Sequence, residues 1–286
     1  MRVTIIGGAG QMGRVFARYF KSKGFSVTIQ DKNLKEAERV ASLLDVSAMD
    51  ESRKAVEAAD TTLISVPLGS TPYVILDVAP YVGRGKVLAE IASMKRETVE
   101  ALRTVSGRGF KPLSIHPLFG PGVKSFSREK MAVIPVLSAE AEVEEARAIF
   151  PECRVFPVDV ETHDLSMSMI LYLPFLMNLG FAATITEGDV ENLRMLAGPA
   201  FGLQLLMCES TLSQDPKLYF SILEQDGQAR ELIRLLVENM KRLSEARLEE
   251  EELEKFVEDL REKLGRESKL RESYEKMYRI WEILKG

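Results

Sequence analysis

Cysteine and histidine are both scarce. The chain holds only Cys153 and Cys208, and only His116 and His163. Two lone cysteines without metal-ligand spacing exclude a disulfide framework and a cysteine zinc site, so no metal is expected. Any chemistry that needs imidazole must use one of two side chains. There is no basic excess: 38 Lys and Arg stand against 43 Asp and Glu, for a net charge of -5. That balance lacks the cationic face of a nucleic-acid binder. No run of 18 or more apolar residues occurs, so a transmembrane helix is not expected. The opening MRVTIIGG already reads as a strand and has no leader architecture. The expected location is therefore cytoplasmic. No internal repeat or low-complexity linker interrupts the chain.

What is present is an alternation of short apolar strands and helices. Val3 to Ile6, Ser26 to Gln30, Thr61 to Val66, Lys86 to Ile91 and Leu113 to His116 read as strands, with Ala132 to Val136 as a further one. Helices are predicted over 11–23, 34–44 and 95–104. Strands alternating with helices imply a parallel sheet covered on both faces. From residue 161 nearly everything reads helical: 164–185, 190–212, 216–243 and 246–285. The first of these is apolar all round, which predicts burial in a bundle or a dimer interface, and Pro174 should kink it. The last carries an amphipathic stripe at Leu253, Phe256, Val257, Leu260 and Leu264 under a solvated charged face. With 286 residues, two domains are expected. The reading is a Rossmann-type doubly wound α/β domain over 1–160, then an all-α substrate and dimerisation domain over 161–286.

Gly8-Ala9-Gly10-Gln11-Met12-Gly13 is a G-x-G-x-x-G run. By itself that is a weak signal. Here it follows a strand, opens a helix and sits in a βαβ unit, which makes it specific for a dinucleotide. Gly8 is assigned to the tight turn, Gly10 to close approach of the pyrophosphate, and Gly13 to helix–strand packing. Gln11 and Met12 open the helix whose free N–H groups would hold phosphate. Asp31 follows 18 residues after Gly13. A carboxylate there accepts from the ribose hydroxyls and repels a 2′-phosphate, so NAD is preferred, although Lys32 and Asn33 leave room for NADP. Ligands in such sheets bind beyond the carboxyl ends of the strands. That places Val66 and Pro67 on the cofactor side, and Ser93 and Lys95 at the site. The bland alternatives are helix capping by Ser93 and a solvated first-turn role for Lys95.

Residues 115–122, IHPLFGPG, form a Pro- and Gly-rich segment after a strand, with His116 at its start. An imidazole can accept the proton of a hydroxyl near neutral pH.

At this point the chain resembles the prephenate dehydrogenase (cyclohexadienyl dehydrogenase) family. Five ordered segments carry the resemblance: Gly7 to Arg14, Ala92-Ser93-Met94-Lys95, His116 to Pro121, His163-Asp164, and Gln214-Asp215-Pro216-Lys217-Leu218-Tyr219. It extends to about residue 240. It implies a Rossmann domain followed by a helical dimerisation domain, and thus a homodimer. It implies NAD-dependent oxidative decarboxylation of prephenate, or of arogenate, in tyrosine biosynthesis. His116 would hold and deprotonate the ring hydroxyl, Ser93 would bond His116 or that hydroxyl, and Lys95 would support both electrostatically. His163 is read as a residue that seats the helical domain through local hydrogen bonds. Tyr172 and Gln204 are placed to face the substrate, against the bland alternative that a helical aromatic is core.

The sequence also departs from the family. Tyr172-Leu173-Pro174-Phe175 stands where many members have H-L-P-H, and residues 201–211 contain no arginine to bind a substrate carboxylate. A dianion needs cations. The alternatives are Arg194, Lys124, Lys217, Arg230 or a partner chain, a different small acid such as an amino-deoxy analogue of prephenate, or a non-catalytic dinucleotide-binding homologue. β-Hydroxyacid dehydrogenases rely on a lysine in the first long helix after the Rossmann domain, and residues 163–186 contain none. No chorismate mutase segment is evident.

Overall fold

The computed structural model describes residues 1–216, 227–245, 250–265 and 267–284, and side chains over slightly fewer. Two compact units divide the chain, Met1–Met167 and Ser168–Gly286.

The first unit is built on one eight-stranded sheet. Its strands are β1 (Arg2–Ile6), β2 (Ser26–Gln30), β3 (Ser47–Ala48), β4 (Thr61–Ile64), β5 (Val87–Glu90), β6 (Lys111–Pro117), β7 (Lys130–Val133) and β8 (Arg154–Pro157), in the order β3-β2-β1-β4-β5-β6-β7-β8. The first six are mutually parallel. The strand order reverses direction between β1 and β4, and that is the switch point where ligands of doubly wound sheets bind. All residues of β4 and β5 are buried, as expected of strands covered on both faces.

Helix α1 (Gln11–Ser22) buries one stripe. Its Phe16, Tyr19 and Phe20 meet Phe126 and Phe150, with Tyr19 stacked on Phe126 at 4.2 Å between centroids. This aromatic cluster fixes the helix, and with it the turn that precedes it. α2 (Leu34–Leu44), α3 (Ser52–Ala58), α4 (Thr71–Val78), α5 (Arg96–Val105) and α6 (Ala139–Ile149) complete the layers, and α7 (Val160–Met167) ends the unit.

Three sequence expectations need correction here. β7 runs antiparallel to β6, so the sheet is parallel only through β6. His116 lies within β6, opposite Ala132, and the loop begins one residue after Pro117. Residues 190–212 are two helices, α9 (Val190–Met195) and α10 (Pro199–Leu212), because Gly198 and Pro199 restart the chain.

In the second unit, a π-helical turn (Ser168–Tyr172) precedes α8 (Leu173–Ile185). Pro174 accounts for it: a proline lacks the N–H and crowds the carbonyl four residues back. α11 (Gly227–Glu245), α12 (Glu250–Leu264) and α13 (Glu267–Leu284) follow. The predicted single helix over 246–285 is thus broken near Gly265, whose φ is +139°. Trp281 of α13 packs against Gly202 of α10, where a Cβ would collide with its ring. The helical stretch Val160–Ile185 reaches a mean hydropathy of 1.6 over an 18-residue window, of which 28% is buried. By length and composition it could cross a membrane. Counting only unbroken apolar runs missed it, since its neutral Ser, Asn and Thr residues interrupt such a run at little cost in hydropathy.

Candidate active site

The glycine-rich turn joins β1 to α1 at the switch point. Gly7 holds the positive φ, +79°, and a Cβ there would lie 2.4 Å from the Ser65 carbonyl oxygen of the neighbouring strand end. Gly7, not Gly8, is therefore the residue that makes the turn. Gly8 is needed for space: its Cβ would lie 2.5 Å from Cβ of Ile29 on β2. At Gly13 a Cβ would stand 2.4 Å from the Gly7 oxygen and 2.7 Å from Gly8 Cα, all backbone. Backbone cannot rotate aside as a side chain can, so Gly13→Ala must lift α1 from β1. An expected loss of about 1–3 kcal/mol, the usual cost of overpacking, can be read from denaturant unfolding. An unchanged midpoint would contradict this contact.

Gly10 differs from its neighbours. Its nearest would-be contacts are the Gly7 oxygen at 3.2 Å and the Ser65 oxygen at 3.9 Å, so its outer side is open. It stands at the N-terminus of α1, where no side chain caps the helix and no acidic residue occupies the first turn. A helix end with exposed N–H groups and a positive dipole suits a phosphate. Gln11 is exposed and Met12 half-buried at this edge, with half-buried Val66 and exposed Pro67 following β4.

Asp31, just beyond β2, accepts from the backbone N–H of Ala9 at 3.2 Å and of Asn33 at 3.1 Å, one on each oxygen. Each oxygen keeps a lone pair for a ribose hydroxyl. Close by, the Arg39 guanidinium and then Arg14 hold the Glu36 carboxyl down to a pKa of about 2. Both arginines are committed to that carboxylate.

A second polar group gathers at the ends of β5 and β6. Lys95 is completely buried, not the solvated residue of the bland reading. Its ammonium donates to Glu90 Oε1 at 2.8 Å and to the Ile115 carbonyl at 2.6 Å. The same Glu90 oxygen accepts from Thr98 and Ser114, and Oε2 accepts from the Ala92 N–H. Burial lowers the Lys95 pKa, and Glu90 and then Asp164 oppose that shift. Lys95 therefore grips the strand at the residue before His116. It makes no hydrogen bond to the imidazole.

His116 is 7% exposed. Its Nδ1 lies 2.9 Å from Nε2 of His163, and His163 Nδ1 lies 2.7 Å from Asp164 Oδ1. The Asp164 carboxylate also accepts the backbone N–H groups of Lys95 at 2.9 Å and Arg96 at 3.0 Å. The start of α5 is thus capped from α7 by Asp164, and Ser93 does not serve as its cap. Burial raises the Asp164 carboxyl, but the His163 bond and these backbone donors outweigh it and leave the pKa lowered. Desolvation above all, then the Lys95 charge and His163, push His116 well below its ordinary 6.5. It is a neutral imidazole, in the state that accepts a proton.

Sequence reading found His116, Ser93 and Lys95, and the structure brings them to adjacent strand ends. Ser93 is half-buried and makes no direct hydrogen bond to His116. Glu90 was missed, although an acid inside the apolar run of β5 signals that it needs a buried partner. Of the substrate cations considered, Arg194 is paired with Glu209 and Glu191, Lys124 and Arg230 are exposed, and Lys217 lies outside the described residues. Gln204 donates to Asn178 Oδ1 at 2.9 Å within the helical unit. The described residues hold no cluster of three or more His, Cys, Asp or Glu fit for a metal ion.

A glycine-rich turn at the switch point of a doubly wound sheet defines a nucleotide-binding Rossmann protein. Residues 16–153 match the family model for the nucleotide-binding domain of prephenate dehydrogenase. A probable arogenate/prephenate dehydrogenase of Methanocaldococcus jannaschii is 26% identical over 269 residues, 92% of this chain and 60% of that protein. A 4-amino-4-deoxyprephenate dehydrogenase of Streptomyces pristinaespiralis is 25% identical, covering 92% of this chain and 91% of its own. The solved structure of Aquifex aeolicus prephenate dehydrogenase, in complex with hydroxyphenyl propionate and NAD+, superposes with a TM-score of 0.72 at 18% identity, covering 93% and 98% of the two chains. Over residues 16–153 the chain carries the nucleotide-binding domain of the prephenate dehydrogenase family. It spans about three-fifths of the length of several curated relatives, at 60%, 59% and 56%.

Proposed function

We propose that the protein oxidatively decarboxylates prephenate or arogenate with NAD, as a soluble, cytoplasmic enzyme of tyrosine biosynthesis. The observation that carries this reading is the neutral, buried His116 at the end of β6, in the same unit as a turn fitted to a dinucleotide. The Gly10 edge and the α1 N-terminus would hold the pyrophosphate, and Asp31 the adenosine ribose. When bound, the nicotinamide supplies a hydride acceptor. His116 receives the ring hydroxyl's proton as the carbinol carbon loses its hydride. As carbon dioxide departs and the ring becomes aromatic, His116 returns that proton to the phenolic oxygen. Ser93, half-buried two residues before Lys95, is within the same strand-end cluster and would orient the hydroxyl.

Asp31, just beyond β2, disfavours a 2′-phosphate, and the nearby Arg14 and Arg39 are both paired with Glu36 of α2. The expected result is a kcat/KM for NAD at least tenfold above that for NADP, on the order of 1.4 kcal/mol. A preference for NADP in steady-state assays would contradict it.

The 4-amino-4-deoxy analogue is the second reading, because a relative of that name matches over nearly its full length and because residues 201–211 lack arginine. Purified protein with NAD and each of the three acids, followed by NADH absorbance and product chromatography, decides among them. No turnover with any would reject the function. The exposed Met169, Ile170 and Met177 support a homodimer through the helical unit. A sedimentation mass of one chain in detergent-free buffer would overturn that.

A further inference from the structure

We propose that His163 and Asp164 set the tautomer of His116, so that its proton sits on Nδ1 and its Nε2 presents a lone pair. This rests on the reading of His116 as the base, and assigns its two neighbours as positioning residues.

The assignment follows from counting donors. Asp164 already accepts two backbone N–H groups and is held as a carboxylate. It can only accept from His163, so the His163 proton lies on Nδ1, 2.7 Å from Oδ1. With a single proton on the His163 ring, its Nε2 is an acceptor. The 2.9 Å contact then requires a donor on the other side, which is Nδ1–H of His116. The proton of His116 is thereby used, and Nε2 is left bare. An isolated neutral imidazole has two tautomers available. Here one is imposed by a carboxylate two residues away along the chain of bonds. The charged groups around His116 are Lys95 from the segment after β5 and Asp164 from α7, with Glu90 of β5 behind Lys95. When His116 takes a proton at Nε2, its Nδ1–H continues to donate to His163, and the carboxylate stabilises the cation from beyond. No proton needs to leave Nδ1.

Asp164→Asn reverses the pattern. The Asn oxygen takes the Oδ2 place, 3.0 Å from the Arg96 N–H and 3.2 Å from that of Lys95, and the amide nitrogen takes the Oδ1 place facing His163, giving up the 2.9 Å Lys95 bond. That nitrogen donates, so His163 moves its proton to Nε2, His116 must accept at Nδ1, and its own proton appears on Nε2. The lone pair facing the substrate disappears.

The chain has only two histidines, so uniform ¹⁵N-histidine labelling yields four ring signals. Two-bond ¹⁵N–¹H correlation spectra of the full-length protein at pH 7.5 should show both rings protonated at Nδ1. In Asp164→Asn both should switch to Nε2. kcat/KM should fall by about 10²-fold, near the lower end of general-base contributions, with dinucleotide affinity unchanged. Nε2-protonated His116 in the unmutated protein would overturn the proposal, whatever the variant does. If the rings are Nδ1-protonated but none of the three acids turns over, the relay stands and the substrate reading fails. An Asp164→Asn protein that keeps Nδ1 protonation and full rate would also overturn it.

Discussion

His116→Asn is expected to lower kcat/KM by about 10²–10⁴, the range for a positioned general base, while the dissociation constant for the dinucleotide stays the same. Asparagine is the informative replacement. Its amide can still donate to Nε2 of His163, so the bonds to Asp164 and the cap on α5 survive, and only the proton acceptor is lost. Stopped-flow turnover together with cofactor fluorescence titration separates the two effects. A rate within about threefold of the unmutated protein would mean that His116 serves the strand and not the chemistry. The pH dependence has a definite sign. Burial and the Lys95 charge lower the His116 pKa, so the accepting form persists below pH 6.5, and the acid limb of the rate profile lies beneath the ordinary histidine value. In stability terms the unfolded chain binds the extra proton first as pH falls below about 6.5. Folding free energy associated with His116 is therefore complete above that pH and is lost on acidification.

In the first hundred residues β1, β4 and β5 were legible because they are short and buried, whereas the two-residue β3 and the short α3 and α4 were not expected. β2 and α2 match their expected bounds, Ser26–Gln30 and Leu34–Leu44. The fingerprint was legible for the same reason: its glycines answer local steric demands, even though the positive φ falls on Gly7 and not Gly8. Legibility fell where neighbours in space are remote in sequence. Asp164 caps α5 across 69 residues, and a local reading of Ser93 and Lys95 offered capping to the wrong residue and solvent to the other. His163 read as a residue that seats the helical domain because nothing in its own segment points to His116, 47 positions earlier. β8 is four residues long with its ends exposed, too short to declare a period. The direction of β7 depends on a loop, which carries no hydrophobic pattern at all.

Lys95→Met is expected to cost about 3–5 kcal/mol of stability, the penalty for leaving one member of a buried ion pair without its partner. Methionine fills much of the same space, so the loss isolates charge and not volume. Glu90 would keep Thr98, Ser114 and the Ala92 N–H as donors, but its negative charge would remain fully enclosed with no cation. In a unit of this size the melting midpoint should fall on the order of 10 °C. Adding Glu90→Gln to Lys95→Met should restore much of that, since a neutral amide can use the same hydroxyls and costs far less to bury. The double-mutant cycle therefore has a predicted sign: the pair of substitutions is less harmful than the sum of each alone. The catalytic readout should diverge from the stability readout. Lys95 also holds the Ile115 carbonyl at 2.6 Å, and no glutamine at position 90 replaces that bond. The rescued double variant should fold yet stay slow, because β6 no longer fixes His116 against His163. If Lys95→Met costs less than 1 kcal/mol, about the scale of an exposed ion pair, then the ammonium is not the counter-charge of Glu90, and the network at the strand ends has been drawn wrongly.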